Sequence, residues 1–247
     1  MIIYSEGTVF NIGAQAIVNT VNCTGVMGAG IALEFMLRYP DMFEDYATKC
    51  KENIIRTGKV DYYQNKDSSI VINFPTKRHF KYPSQLIWIE QGLQDFVKTY
   101  KEKKVVSVAF PKLGTSNGGL DWNAVRPLME RYLSNLDIDV FICLDEKKEA
   151  EGVEKDMLEK FNALGIEELS HLVKLNKKQK ENIQKNKPYD RFWKISKTES
   201  IGIKTYSKIF KHFYDLSMGN NLKIRQLSLL DFNDVNGVAE TNKYNKD

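Results

Sequence analysis

Apolar positions in the first 145 residues switch between two spacings. Short β-branched or aromatic runs bounded by polar residues or proline occur at Ala16-Ile17-Val18, 69–74, 105–110 and 139–143. Such runs predict strands buried on both faces of a sheet. Ile2-Ile3-Tyr4 and Val60-Asp61-Tyr62-Tyr63 are weaker and predict edge strands. Between the runs, apolar residues at helical spacing predict helices over 30–37, 84–100 and 122–134. The second helix opens at Pro83-Ser84, with Ser84 as its cap, and buries Leu86, Ile89, Leu93 and Phe96. The third opens at Asp121, a good N-cap, and buries Val125, Met129, Tyr132 and Leu133. Strands alternating with helices predict an α/β layer fold with helices covering the sheet.

The charged run from Asp145 to Gly152 has no apolar period, so a boundary is placed there, with one domain over 1–148 and a mainly helical region over 152–232. In that region Val153, Met157, Leu158, Phe161 and Leu164 mark a helix stopped by Gly165, and Tyr206, Ile209, Phe210 and Phe213 mark another. Residues 233–247 mix asparagines with charges and predict a frayed tail. No internal repeat is visible.

Composition narrows the class. With 42% hydrophobic residues in 247, the chain is not a disordered one, and no stretch approaches the roughly 18 apolar residues of a membrane helix. The start, Met1 to Glu6, lacks a basic region ahead of an apolar core, so a cytoplasmic protein without membrane association is expected. Cys23, Cys50 and Cys143 show no metal-ligand or disulfide-framework spacing, so reduced thiols, no metal and no cofactor are expected. The net charge of +4 is unevenly spread. Residues 1–150 hold 18 basic and 18 acidic side chains, and residues 151–247 hold 18 and 14. From Lys174 to Lys211, twelve Lys/Arg face only Glu181, Asp190 and Glu199. That excess suits either a solvated helical face or a surface that meets a polyanion or an acidic protein.

Three segments carry candidate chemistry. The strand 16–22 runs through Gly25, Gly28 and Gly30 into a helix. Glycines let backbone N–H groups close on an anion, and the helix N-terminus adds its positive end. The spacing G-x-x-G-x-G is neither the dinucleotide fingerprint nor a lysine P-loop, and a tight strand-to-helix turn explains the glycines equally well. A second such loop, from Phe110 to Trp122, again joins a strand to a helix, and two loops at strand carboxyl ends suit a diphosphate. The third segment, from Asn73 to Lys81, sets Lys77 in a basic cluster with Arg78, His79 and Lys81. An amine desolvated among cations is a nucleophile toward an electrophilic sugar carbon, whereas a surface lysine or a phosphate-binding charge is the plainer account; His79 is the alternative general base.

Taken together, Gly7-Thr8-Val9-Phe10, the run 16–22, the loop Gly25-Val26-Met27-Gly28-Ala29-Gly30-Ile31-Ala32, Asn73-Phe74-Pro75-Thr76-Lys77 and the stretch from Leu113 to Trp122 resemble the macrodomain superfamily. The likeness covers about residues 1–145 and is nearest to the DarG-type branch, antitoxin macrodomains that remove ADP-ribose from DNA bases modified by DarT-type toxins. It extends to the lysine-dependent terminal ADP-ribose glycohydrolases. The resemblance implies a three-layer α/β/α domain with a mixed sheet and an ADP-ribose site. On that basis Asn22 contacts the distal ribose, while Gly28, Ala29, Gly30 and Ile31 and the segment Gly114, Thr115, Ser116, Asn117 and Gly118 hold phosphates and ribose. Thr8, Gly25, Met27 and Thr76 complete the binding set, and Lys77 is the catalytic residue at the anomeric carbon. Two positions depart from the pattern. Thr8 stands where many macrodomains carry an aspartate for adenine, and Gly118 where the related glycohydrolases carry one that helps to release the sugar.

The expected function is therefore hydrolysis of the N-glycosidic bond between ADP-ribose and a base of single-stranded DNA, as the antitoxin of a cognate DarT-type toxin. Two other readings remain. One is a module that binds ADP-ribose without cleaving it, and the other a protein that sequesters a toxin through residues 151–247.

Overall fold

A computed structural model describes residues 1–219, and the predicted tail at 233–247 lies outside them, as does the end of the predicted helical region. The chain divides into two compact units, Met1–Lys148 and a second beginning at Glu149.

In the first unit, β1 (Ile2–Ser5) and a 3₁₀ turn at Val9–Asn11 precede β2 (Ala16–Asn22), followed by α1 (Gly30–Arg38) and α2 (Pro40–Lys51). Then come β3 (Asp61–Gln64), β4 (Ile70–Lys77), α3 (Leu86–Thr99), β5 (Ser107–Pro111), α4 (Trp122–Leu133) and β6 (Asp139–Cys143). The strands form one sheet in the order β1-β6-β5-β2-β4-β3, in which every pair is parallel except β3 with β4. The two weak runs, Ile2 to Tyr4 and Val60 to Tyr63, thus contribute the edges. The strong runs are inner because both their faces are buried. Ala16, Val18, Ile72, Phe74, Val108 and Phe110 pack with Ile89, Leu93 and Phe96 of α3 and Val125 and Met129 of α4. Alternate residues Ile17, Val21, Val71 and Ala109 pack with Phe35 of α1 and Met42, Tyr46 and Cys50 of α2. The result is a three-layer α/β/α domain with a mixed sheet.

Several details differ from the sequence reading. Helix α2 was not predicted, although Met42, Tyr46 and Cys50 recur every fourth residue and are buried; the charged residues between them obscured the stripe. Helix α3 begins at Leu86 with Gln85 as its cap position, so Leu86 lies in the first turn and is exposed rather than buried. Ser84 is not the cap, since its hydroxyl bonds no N–H of the helix; its backbone N–H instead donates to the Gly118 carbonyl at 2.9 Å. Tyr132 is half-buried, its hydroxyl 2.8 Å from Glu90 and from Gln94. Asp121 does cap α4, accepting from the Asn123 N–H at 3.0 Å.

The second unit contains α5 (Gly152–Ala163), α6 (Ile166–Val173), α7 (Lys177–Asn186), a 3₁₀ segment at Phe192–Lys197 and α8 over 203–219. Phe161, Phe192, Phe210 and Phe213 form its core, with ring centroids of Phe161 and Phe213 5.4 Å apart. A buried ion pair, Arg191 to Glu154 at 3.0 Å, crosses it. Helix α5 does end just before Gly165, with Leu164 at its C-cap, but Gly165 has a φ of −64° and caps the start of α6 rather than closing α5 with a left-handed turn. The end of α5 is satisfied instead by the Lys187 amine, which donates to the carbonyls of Phe161 at 2.6 Å and Leu164 at 2.7 Å. Lys178 pairs with Glu199 and Lys194 with Asp190 within the basic stretch, and part of its excess is neutralised from outside, by Glu167 on Lys180 and Glu154 on Arg191. Among the described residues no helix is long and apolar enough to cross a membrane, no His/Cys/Asp/Glu cluster is arranged to hold a metal ion, and the cysteines are free.

Candidate active site

Because β5, β2 and β4 are adjacent and parallel, their carboxyl ends open on the same edge of the sheet. The loops that follow β2 and β5, and the last residues of β4, therefore converge, as ligand sites of open α/β sheets do. The pairing of β2 with β4 slips by one residue at this edge: Val21 lies opposite Pro75 but Asn22 lies opposite Lys77. Such a bulge re-aims the side chains beyond it. Pro75, which has no N–H to donate, is tolerated there because β3 pairs with β4 only as far as Asn73. The extra residue, Thr76, is buried with its hydroxyl 3.4 Å from the Val21 carbonyl, while the Lys77 side chain emerges at the edge.

The first loop is held by Asn22. Its Oδ1 accepts from the Thr24 N–H at 2.9 Å and from the Thr24 hydroxyl at 2.7 Å, and its amide N–H donates to the Val26 carbonyl at 2.5 Å. Tyr46 of α2, absent from the sequence reading, fixes the same residue by donating to its carbonyl at 2.6 Å. Asn22 thus spends its side chain on shaping the loop. Gly25 turns against α2 beside Cys50, and Met27 is buried in the core beneath the loop, where the Asn19 amide meets its sulfur at 3.7 Å. The side chains of Met27 and Thr76 are both buried. Gly28 and Ala29 lead into α1, whose cap position, Ala29, has no side-chain acceptor. The N–H groups of its first turn, from Gly30 and Ile31 onward, lack intrahelical partners and suit an anion.

The second loop closes on the first. At Gly30 the φ is +58°, and a Cβ there would lie 2.5 Å from the Asn117 side-chain amide. The Asn117 carbonyl in turn accepts a hydrogen bond from the Lys77 amine. Residues 30, 77 and 117 therefore meet at one point. Gly114 begins this loop, Thr115 bonds the Lys112 carbonyl at 3.1 Å, and Ser116 and Asn117 are exposed. Gly118 is buried over Ser84, and a Cβ at 118 would come within 2.6 Å of the Ser84 hydroxyl. That contact gives the glycine a steric reason: an aspartate does not fit without displacing Ser84. Thr8 follows β1, which runs parallel with β6 and β5, so it lies on the same edge, half-exposed, and its hydroxyl caps nothing.

Burial among the loop atoms pushes the Lys77 amine below its ordinary range. Lys77, Arg78 and Lys81 have no carboxylate partner among the described residues, so the edge is electropositive. His79 stacks on Phe80, and its Nδ1 accepts from the Lys81 N–H at 3.2 Å.

A three-layer α/β/α domain that gathers two glycine loops and a lysine at the carboxyl edge of its sheet has the architecture of a macrodomain. The macro domain family model matches residues 18–129. The solved structure titled "Macrodomain of Mycobacterium tuberculosis DarG" is 43% identical with a TM-score of 0.56, covering 58% of this chain and 97% of that one. The corresponding structure from Thermus aquaticus DarG is 34% identical with a TM-score of 0.56, covering 58% and 98%. The curated "DNA ADP-ribosyl glycohydrolase" of M. tuberculosis is 44% identical over 146 residues, 58% of this chain and 42% of that protein. The chain thus spans about two fifths of the length of such relatives. The chain belongs to the macrodomain family, and within it to the DarG-type macrodomains.

Proposed function

We propose that this protein is a DNA ADP-ribosyl glycohydrolase, acting in the cytoplasm as the antitoxin of a DarT-type toxin. The observation that carries the reading is the Lys77 amine, desolvated and positioned where two anion-binding loops touch. The curated relatives named for this activity support it, as does the Thermosipho africanus structure titled "DarTG in complex with ADP-ribose", 35% identical and covering 62% of this chain. The α1 N-terminus and the 114–118 loop take the diphosphate of ADP-ribose, which sets the anomeric carbon of the distal ribose before Lys77. The neutral amine attacks that carbon. The bond to the nucleobase nitrogen breaks, its electron pair stays on the base, and the base takes a proton. Water then hydrolyses the sugar–lysine bond, adding OH to the sugar and returning the amine. No carboxylate at position 118 takes part, and Lys77 with solvent suffices.

The test is release of ADP-ribose from a single-stranded oligonucleotide ADP-ribosylated on one base, with an ADP-ribosylated protein as control. The wild type is expected to turn over the DNA and Lys77→Ala to lose turnover while still binding ADP-ribose. If the wild type binds but releases nothing, the protein is an ADP-ribose reader and Lys77 a phosphate-binding charge. The basic second unit is proposed to meet the toxin or the DNA. Contact with DNA predicts affinity that falls steeply with salt.

A further inference from the structure

The segment that follows Lys77, Arg78 to Tyr82, has no part in the ADP-ribose site described above, yet its composition and exposure are unusual. Phe80 is 44% and Tyr82 65% exposed, although an aromatic ring is among the most favourable groups to bury. Neither ring is loose. The His79 ring stacks on Phe80 at 4.5 Å and tilts against Tyr82 at 5.4 Å, so it holds both. Its Nδ1 accepts from the Lys81 N–H at 3.2 Å, and its carbonyl accepts from the Tyr82 N–H at 3.2 Å. Cations are interleaved with the rings: the Lys81 amine is 5.8 Å from the Phe80 centroid, and the Arg78 guanidinium lies over Trp88 at 5.3 Å. Residues 68–89 contain Lys77, Arg78 and Lys81 and no carboxylate.

Exposed ring surface beside cations that have no carboxylate partner among the described residues is what a single nucleic-acid strand needs: bases stack on the exposed rings, extending the His79–Phe80 stack, and phosphates meet the cations. A duplex keeps its base faces hidden, whereas a protein partner would bury the rings in an apolar contact and leave binding of an unmodified strand independent of them. We propose that residues 78–82, through Phe80, Tyr82, Arg78 and Lys81, form a stacking platform for the single DNA strand that flanks the modified base. The platform rests on the glycohydrolase reading for its place beside Lys77. It makes the enzyme prefer an ADP-ribosylated strand over an ADP-ribosylated nucleoside.

The test compares the full chain with the Phe80→Ala/Tyr82→Ala variant in three assays. These are turnover of an ADP-ribosylated single-stranded oligonucleotide, turnover of an ADP-ribosylated mononucleoside, and anisotropy of an unmodified fluorescent single-stranded oligonucleotide. Base–ring stacking predicts a loss of about tenfold per ring in kcat/KM on the oligonucleotide and a matching rise in Kd for the unmodified strand. Turnover of the mononucleoside stays unchanged, which excludes a folding defect. Phe80→Leu/Tyr82→Leu is expected to lose as much, since bulk without a π-face does not stack. Unmodified-strand binding that is equal in the wild type and both variants, or undetectable in the wild type, overturns the platform even if turnover is normal. If the variants weaken strand binding while the wild type releases ADP-ribose from nothing, the platform stands and the glycohydrolase reading fails.

Discussion

Replacing Asn22 by alanine is expected to weaken ADP-ribose binding far more than it weakens the fold. The side chain makes three short hydrogen bonds inside the first loop, at 2.9, 2.7 and 2.5 Å. At about 1 kcal/mol net for each they are worth about 3 kcal/mol. Thr24 and Val26 are exposed, so water takes over part of what they lose, and about 2 kcal/mol remains. Tyr46 still holds the Asn22 carbonyl at 2.6 Å, so the end of β2 stays in place and only the loop is released. A loop that must first be ordered raises the Kd for ADP-ribose by about 30-fold at that free energy. Calorimetric titration with ADP-ribose measures the effect, and the thermal midpoint is expected to move by only a few degrees. A double-mutant cycle with Thr24→Val separates shaping of the loop from direct contact with the sugar. If Asn22 works through Thr24, the two losses are not additive. Binding within twofold of wild type in Asn22→Ala refutes the reasoning, and strict additivity shows that Asn22 acts on the ligand itself.

Three further outcomes follow from the same geometry. Since burial lowers the Lys77 pKa, the unfolded chain binds this proton more tightly than the folded one between the lowered and the ordinary value. Stability therefore rises with pH across that window, and the reactive neutral amine accumulates there as well. Urea unfolding at several pH values is expected to show a pH-dependent component in the wild type that Lys77→Met abolishes, without making the variant less stable at neutral pH. Gly30→Ala forces a side chain into φ +58° and within 2.5 Å of the Asn117 amide. The backbone strain is worth about 1–2 kcal/mol, and the methyl makes the exposed Asn117 side chain swing aside where the two loops meet, so the melting temperature and turnover both fall. An unaltered melt and turnover together contradict this. Arg191→Met leaves Glu154 buried without its cation, a loss of about 3–5 kcal/mol. Hydrogen exchange is expected to accelerate in α5 and α8 while the sheet keeps its protection.

What the sequence determined by itself was the identity of the elements and the chemistry of the loops. Buried strands are apolar on both faces, so the runs at 16–18, 69–74, 105–110 and 139–143 stand out without any knowledge of neighbours, and the Asp121 cap and the glycines before Gly30 are local signals of the same kind. Helix α2 escaped because its buried positions, Met42, Tyr46 and Cys50, are separated by charges that outweigh them in any window, and Tyr46 was lost with it. Part of the C-terminal basic excess read as unbalanced because two carboxylate partners lie before the basic stretch, Glu167 for Lys180 and Glu154 for Arg191. Gly165 marks where α5 ends, but the amine that satisfies the last carbonyls of α5 comes from Lys187, on a later segment. The tertiary structure alone decided that β5, β2 and β4 are neighbours, which joins Asn22, Lys77 and Asn117 across separations that no periodicity spans. Hydrophobic spacing records which face of an element is buried and against what kind of surface. Which strand lies beside which is set by crossovers and packing between distant parts of the chain, and the steric reason for Gly118 and the desolvation of Lys77 exist only once those strands are in place.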